Sequence, residues 1–285
     1  MIRDFKCSYA NSAGISEEVT ATLGLEFPKA YTDKDDMKCL ARAIKEHDNA
    51  GYCLLPFCRT LEAEALGAKI KLGDAAAGPR AAEAAFGSLE EIIEQPDIDF
   101  TKGRIAATLE ALKELKAEGE TVALELVGPT TVLTSMADPK VVFKAYRKNP
   151  ELAVNAMKKI GRNTLEFIKA GKSAGVDVFI FSDSSGALDI LGPKMMEMVV
   201  NDYLAGFIRE AAELMDETCI LMLCPKFAFA LTDTGNAKIC DHEVPAGTDF
   251  FDALISMKGK VNVSGQLCVK HTGVKLGGVF REVVL

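Results

Sequence analysis

Short apolar runs alternate with amphipathic stretches along most of the chain. Five of these runs have the length and composition of buried strands, at 51–57, 121–129, 176–183, 219–224 and 260–265. Between them, apolar residues recur at helical spacing, as in 32–51, 101–120 and 192–217. Uniformly apolar strands that alternate with amphipathic helices indicate a parallel sheet covered by helices. The pattern therefore predicts an α/β fold.

Three further stretches have weaker signals. Residues 238–242, KICDH, are expected to form a short strand, and 274–285 a terminal hairpin. Residues 69–80 are expected to be a loop with a small hairpin. The chain contains no low-complexity linker and no repeat of fixed period, so we expect a single domain over 1–285.

Three apolar runs that are far apart in sequence each finish on a thiol. They are CLLPFC, ending at Cys58, CILMLC, ending at Cys224, and VNVSGQLC, ending at Cys268. The carboxyl ends of parallel strands lie along one rim of an α/β fold, which is where active sites form. The three thiols are therefore expected at one rim. Small residues that fill tight corners are the alternative interpretation.

Composition narrows the classes of function. The chain has 285 residues, of which 48% are hydrophobic and 26% are charged, as in ordinary globular proteins. The net charge is −8 and there is no basic tract, which argues against a nucleic-acid partner. The N-terminal residues lack the apolar core of a signal peptide, and no apolar run has the length of a membrane span. We expect a cytoplasmic protein whose eight cysteines are reduced.

Three sequence motifs carry a family resemblance. The segments LPFCRTLEAEALGAKIKLGD, GPTTVLTSM and AGVDVFIFSDSSGALDILGP, within a region from Phe27 to Gln266, resemble the uroporphyrinogen decarboxylase superfamily. The PFCRTLEAEALG stretch is typical of its methylcobalamin:coenzyme M methyltransferase branch. The resemblance implies a (β/α)8 TIM-type barrel with its site at the carboxyl rim. Both terminal segments are short for such a barrel, so we expect it to be trimmed at the N- and C-terminal ends.

The resemblance also implies a chemistry. Members of the methyltransferase branch bind zinc through a His-x-Cys pair and a later Cys, and the zinc activates a thiol that takes a methyl group from a corrinoid protein. Here the pair reads Met222-Leu223-Cys224, so the thiol is kept and the histidine is replaced. Four residues late in the chain are the candidates to complete a zinc site with Cys224: Cys240, His242, Cys268 and His271.

Other site residues are predicted from their places at strand ends or in the motifs. Cys224 and Asp183 are the predicted catalytic residues, with helix capping as the alternative role of Asp183. Glu125 interrupts an apolar strand and requires a partner. At most one of the family-typical Glu62 and Glu64 is expected to face the site. The predicted substrate-binding residues are Cys58, Arg59, Glu62, Asp241 and Gln266.

Three functions remain open at this point. The first is a corrinoid-linked methyltransferase relative that moves a methyl group between a corrinoid protein and a small thiol. The second is a decarboxylase relative acting on a carboxylated small molecule, although the arginine-rich segment of the true decarboxylases does not occur here. The third is a non-catalytic member that binds a corrinoid protein. The replaced histidine favours the third over the second, and the retained Cys224 and Asp183 favour the first.

Overall fold

The fold is built around a mixed, mostly parallel sheet. A computed structural model describes residues 1–6, 15–268 and 273–285. In this described part, seven strands are hydrogen bonded in the order β1-β4-β5-β6-β8-β9-β7, and β2 and β3 form a separate antiparallel pair. The strands are β1 Cys53–Leu55, β2 Ile70–Lys71, β3 Arg80–Ala81, β4 Val122–Val127, β5 Val178–Ser182, β6 Ile220–Leu223, β7 Lys238–Glu243, β8 Val263–Ser264 and β9 Val279–Val284.

Helices follow most of the parallel strands, as the alternating sequence pattern predicts. The α-helices of the described chain are α1 Glu17–Leu23, α2 Lys34–His47, α3 Leu61–Ala65, α4 Leu89–Ile93, α5 Gly103–Ala117, α6 Pro129–Met136, α7 Pro139–Lys148, α8 Pro150–Ser173, α9 Leu188–Leu191, α10 Pro193–Val199, α11 Ala205–Glu213, α12 Pro225–Asp233 and α13 Phe250–Ser256. No helix of the described chain is both long and apolar enough to cross a bilayer.

Both faces of the parallel strands are buried. On the outer face, Leu124, Phe179 and Leu221 belong to the large core that the surrounding helices share. On the inner face, Ala123 and Ile180 belong to a second core to which α13 contributes. Successive residues of a strand point to opposite faces, so burial on both sides explains why these strands are apolar throughout.

Aromatic residues close the lower part of the inner face. The rings of Tyr52, just before β1, and Phe251 of α13 lie with centroids 4.9 Å apart. Phe250 stacks on Phe280 of β9 at 6.0 Å. Helix α13 and strand β9 thus fill the interior below the carboxyl ends of the parallel strands. The expected α/β architecture of the (β/α)8 barrel type, a mostly parallel sheet surrounded by helices, is confirmed.

The structure corrects three details of the prediction. The terminal residues do not form a hairpin of their own, because Val279–Val284 pairs with β7 and β8. Chain order predicts that the 238–242 strand lies between the strands at 219–224 and 260–265, but β8 pairs directly with β6 and the 238–242 segment forms the edge of the sheet. The helix expected over 192–217 contains a π-helical segment at Val200–Leu204 that separates α10 from α11. Helices α1, α9 and α12 have no counterpart among the predicted elements.

Candidate functional site

A cavity of about 580 Å³ opens at the carboxyl ends of β1 and β4. Its wall includes Leu54, Cys58, Arg59, Glu125 and Ser184. Strands β1, β4, β5, β6 and β8 run parallel, so their carboxyl ends share this rim. The cavity is therefore at the position where an α/β barrel carries its active site.

An ion pair forms the polar wall of this cavity. The Nε of Arg59 donates to Oε1 of Glu125 at 2.9 Å, and the Ser182 hydroxyl donates to the same oxygen at 2.7 Å. Glu125 is the carboxylate that interrupts strand β4, and Arg59 is the partner that its burial requires. The side chain of Arg59 is 40% exposed and that of Glu125 is 12% exposed. The guanidinium can therefore be reached by a ligand while Glu125 fixes its orientation.

Two strand-end thiols lie around the same guanidinium. The pKa of Arg59 is raised above its usual value, chiefly by the Glu125 carboxylate and also by the thiols of Cys224 and Cys268. Cys224 directly follows β6, and its N–H donates to the Phe181 carbonyl at 2.9 Å. Two of the three strand-end cysteines are thus near enough to the same cation to act on it electrostatically.

The third thiol, Cys58, lines the cavity but is held by a different arginine. Its Sγ accepts from Nη1 of Arg104 at 3.3 Å and from the Thr60 hydroxyl at 3.2 Å. The same arginine pairs with Glu64 at 2.6 Å. Cys58 and Glu64 therefore belong to a polar network between α3 and α5, next to the Arg59 group.

Glu62 is the most deeply buried acid near the cavity. It is 2% exposed, and Oε1 accepts from the N–H of Val127 at 2.8 Å. Its other oxygen, Oε2, has no hydrogen-bond partner among the described residues. Burial raises the pKa of Glu62 to about 7, and the nearby Glu125 carboxylate adds to the shift. Close to neutral pH, this side chain is poised between its acid and its carboxylate form.

Asp183 is buried at the end of β5 and is bonded to the start of α6. Its oxygens accept from the N–H groups of Thr130, at 3.0 Å, and Thr131, at 2.8 Å, and from the Thr131 hydroxyl at 2.7 Å. The N–H of Gly186 adds a bond at 3.1 Å. Burial raises the pKa of the Asp183 carboxyl despite these bonds. The contacts are those of a positioning residue that caps α6, whereas the catalytic role expected for Asp183 stays a prediction.

Gln266 and Asp241 are not among the residues that line the cavity. The amide of Gln266 accepts from the N–H of Arg281 at 2.9 Å and donates to the Val279 carbonyl at 3.3 Å, so it continues the pairing of β8 with β9. Asp241 lies on β7, at the edge of the sheet, with its side chain 59% exposed and 3.4 Å from Arg281. Strands β8 and β9 lie between β7 and β6. The structure therefore does not bring Asp241 to the cavity.

The expected zinc ligands are divided between two places. Cys224 and Cys268 lie near Arg59, whereas Cys240 and His242 are on β7, beside Glu282 of β9. His271 lies outside the described residues. In the described chain, the one set of three ligand atoms within 4.8 Å of each other is Cys240, His242 and Glu282.

The described residues of the rim do not fit the zinc site that the resemblance implies. Met222 stands at the histidine position and is 1% exposed within the inner core. The remaining donors are two thiols next to a guanidinium, which is a cation, and Glu125 already accepts from Arg59 and Ser182. A zinc ion requires at least three protein ligands.

Sequence reasoning missed several residues of this site. Ser182 lies within a quoted motif and Arg104 lies outside all of them, but nothing in the sequence singles out either residue. Each is identified by its bond, Ser182 to Glu125 and Arg104 to Cys58. Glu125 could be predicted from the sequence, because it is a charged residue inside an apolar strand.

The barrel and its rim of thiols, paired charges and buried carboxyls define an α/β protein with an enzyme-like site. The sequence profile of the uroporphyrinogen decarboxylase (URO-D) family matches residues 13–267, and the chain belongs to this family. The resemblance drawn from the motifs is confirmed.

Individual relatives lie in the methyltransferase branch. The methylcobamide:CoM methyltransferase MtaA of Methanosarcina barkeri is 24% identical over 220 residues, which are 76% of this chain and 63% of that protein. MtbA of Methanosarcina acetivorans, another methylcobamide:CoM methyltransferase, is 23% identical over 206 residues, 70% of this chain and 60% of its own. The chain thus spans less than two thirds of the length of these relatives.

A solved structure supports the fold. A methyltransferase from Methanosarcina mazei superimposes with a TM-score of 0.65 and 22% identity, covering 80% of this chain and 70% of its own.

Proposed function

We propose that this protein is a corrinoid-linked methyltransferase relative that moves a methyl group between a corrinoid protein and a small thiol. The observation that carries the proposal is the half-exposed Arg59, held by Glu125 at the cavity wall with Cys224 and Cys268 around it. The relatives named as methylcobamide:CoM methyltransferases support the reaction class. The corrinoid, carried by the partner protein, would supply or accept the methyl group.

In this proposal, Arg59 binds an anionic group of the small thiol. A guanidinium recognises carboxylate, phosphate and sulfonate groups through charge and paired N–H donors. Glu125 and Ser182 would keep Arg59 in one orientation, so that little side-chain entropy is lost on binding. Glu125 is the carboxylate that holds Arg59, and the proton of the substrate thiol would pass to solvent through the open cavity.

Met222 replaces the histidine that binds zinc in the methyltransferase branch, and this replacement limits the roles that can be assigned to a metal. Since the described rim lacks a three-ligand set, no step is assigned to zinc, and Cys224 is assigned to the wall that surrounds the reacting sulfur. A second candidate function, a non-catalytic member that binds a corrinoid protein, is favoured by the buried Met222 at the histidine position. Binding of a corrinoid protein without turnover would distinguish it.

The test is methyl transfer from free methylcobalamin to small thiols, followed by the absorbance change of the cobalamin. We expect Arg59→Ala to raise KM for a thiol with a sulfonate or carboxylate group at least tenfold, which corresponds to about 1.4 kcal/mol, and to leave an uncharged thiol nearly unchanged. Arg147→Ala, which removes an exposed arginine of α7, is the matched control. Equal KM values of Arg59→Ala and Arg147→Ala for the charged thiol would exclude Arg59 as the anion site. A wild-type protein that transfers no methyl group would exclude the reaction.

A further inference from the structure

A second cluster of metal-binding side chains lies away from the cavity, on the edge of the sheet. The sulfur of Cys240, a ring nitrogen of His242 and a carboxylate oxygen of Glu282 lie within 4.8 Å of one another. Nε2 of His242 and Oε2 of Glu282 are 2.8 Å apart. Cys240 is exposed, while His242 and Glu282 are half-buried with side chains 28% and 20% exposed.

The register of two antiparallel strands creates this cluster. Cys240 of β7 lies directly opposite Glu282 of β9, and His242 lies opposite Phe280. Residues two apart on a strand point to the same face, and directly opposed residues share a face, so all three side chains project from one side. The phenyl ring of Phe280, on that same side, is fully buried in the inner core. The ligands are thus anchored next to a rigid part of the molecule.

We propose that Cys240, His242 and Glu282 form a divalent zinc site that joins β7 to β9. Thiolate, imidazole and carboxylate are the three ligand types that zinc takes in proteins. A thiolate and a carboxylate together neutralise the charge of the ion. Bond lengths of about 2.0–2.3 Å bring tetrahedral ligand atoms closer together than 4.8 Å, so small side-chain movements suffice. Three protein ligands leave a fourth position for water on the exposed side.

The proposed site has a structural role because it lies on the edge strand of the sheet. Strand β7 pairs only with β9 in the described sheet, and five of its six residues are exposed. Few apolar contacts therefore hold it in place. A metal ion bound by both strands would cross-link the edge to the chain segment that closes the inner core. The proposed site is a structural clamp and does not depend on the proposed methyl transfer.

The proposed zinc site is separate from the rim thiols, Cys224 and Cys268. Across the sheet, Met222 lies opposite Ser264, Ser264 opposite Glu282, and Glu282 opposite Cys240. Three strand spacings separate Cys240 from Met222, which is about 14 Å. Cys224, two residues beyond Met222, is too far from Cys240 for both sulfurs to bind one ion.

The test is zinc binding to the full chain, depleted of metal with a chelator under reducing conditions. Zinc chloride is titrated in competition with a chromophoric chelator, and cobalt substitution reports a thiolate ligand through its charge-transfer absorption. We expect one zinc ion per chain, and at least tenfold weaker binding in Cys240→Ser, His242→Ala and Glu282→Gln. Cys39→Ser, which removes an exposed thiol of α2, and Cys224→Ser, which removes a rim thiol, should bind as the wild type does.

Thermal unfolding supplies an independent measurement. Zinc should raise the Tm of the wild type and of Cys39→Ser, because a ligand that binds only the folded state stabilises it, and should leave the Tm of Cys240→Ser and His242→Ala unchanged. Far-ultraviolet circular dichroism of the metal-free variants verifies that they fold. The proposal is overturned if the wild type shows no saturable zinc binding, or if Cys240→Ser and His242→Ala retain its affinity. Loss of zinc in Cys224→Ser would place the ion at the rim and would also overturn it.

Discussion

At the scale of single residues, two glutamates of the rim differ because their partners differ. Glu125 accepts from a guanidinium and a hydroxyl, whereas Glu62 accepts one backbone N–H and keeps an unpartnered oxygen. A buried carboxylate without a cation is costly, so its protonated form is favoured. A buried carboxyl with a raised pKa, such as that of Glu62, is common at sites where protons are moved.

The raised pKa of Glu62 predicts a pH-dependent stability. Its folded-state pKa of about 7 exceeds the ordinary value of 4.5. The protonated group therefore stabilises the fold fully below the ordinary value, and this stabilisation is lost as the pH rises through the folded-state pKa. The loss is about 3 kcal/mol at most, because a tenfold change in a proton-binding constant corresponds to about 1.4 kcal/mol.

Urea unfolding at pH 5 and pH 8 measures this contribution. Glu62→Gln should show a smaller decrease in the free energy of unfolding between the two pH values than the wild type. Glu94→Gln, an exchange at an exposed position, should match the wild type. If Glu62→Gln and the wild type have equal pH dependence, the buried carboxyl does not titrate in this range.

At the scale of elements, Asp183 joins strand β5 to helix α6. The N–H groups of the first turn of a helix lack partners within the helix, and Asp183 accepts from two of them. Two glycines make this approach possible. A Cβ at Gly128 would lie 2.3 Å from the Cβ of Asp183, and one at Gly186 would lie 2.4 Å from its Oδ2. The junction therefore depends on the absence of side chains there.

Gly186→Ala tests this junction. The added methyl group would push the buried carboxylate away from its donors, and we expect the free energy of unfolding to fall by about 1–3 kcal/mol. Gly206→Ala is the matched control, since Gly206 is an exposed glycine of α11 whose Cβ would meet nothing within 4 Å. That exchange should stabilise the protein by about 0.5–1 kcal/mol. Equal stabilities of the two variants in urea unfolding would contradict the packing argument.

At the scale of the whole molecule, strand β9 joins the edge of the sheet to the inner core. Strand β9 pairs with β8 on one side and β7 on the other, and its Phe280 stacks on Phe250 of α13. The inner core therefore unites the parallel strands with segments from the end of the chain. We expect the stability of β7 to depend on β9 more than on its own side chains.

Phe280→Ala tests the closure of the inner core. Phe280 is fully buried, so its truncation should lower the free energy of unfolding by about 3–5 kcal/mol. Val284→Ala, on the same strand but 44% exposed, should cost less than about 0.5 kcal/mol. Amide hydrogen exchange should also become faster in β7 than in β4 and β5 in the Phe280→Ala protein. Similar effects of both exchanges would show that β9 contributes little to the core.

The sequence by itself determined the parallel core and part of the site. Apolar runs with no polar alternation require burial on both faces, which is why β4, β5 and β6 could be predicted. Parallel strands share a rim, which is why Cys224 and Cys268 were expected together, and a charge inside an apolar strand pointed to Glu125. These inferences depend on local periodicity and on one rule of topology.

The tertiary structure alone decided the rest. The order of β8, β9 and β7 and the pairing of Cys240 with Glu282 depend on contacts between segments that are distant in sequence, for which no local pattern exists. The roles of Glu62 and Asp183 depend on what surrounds each carboxyl, because burial and the number of N–H donors determine its charge. Periodicity identifies which residues are buried, but only the packed chain decides which buried groups meet.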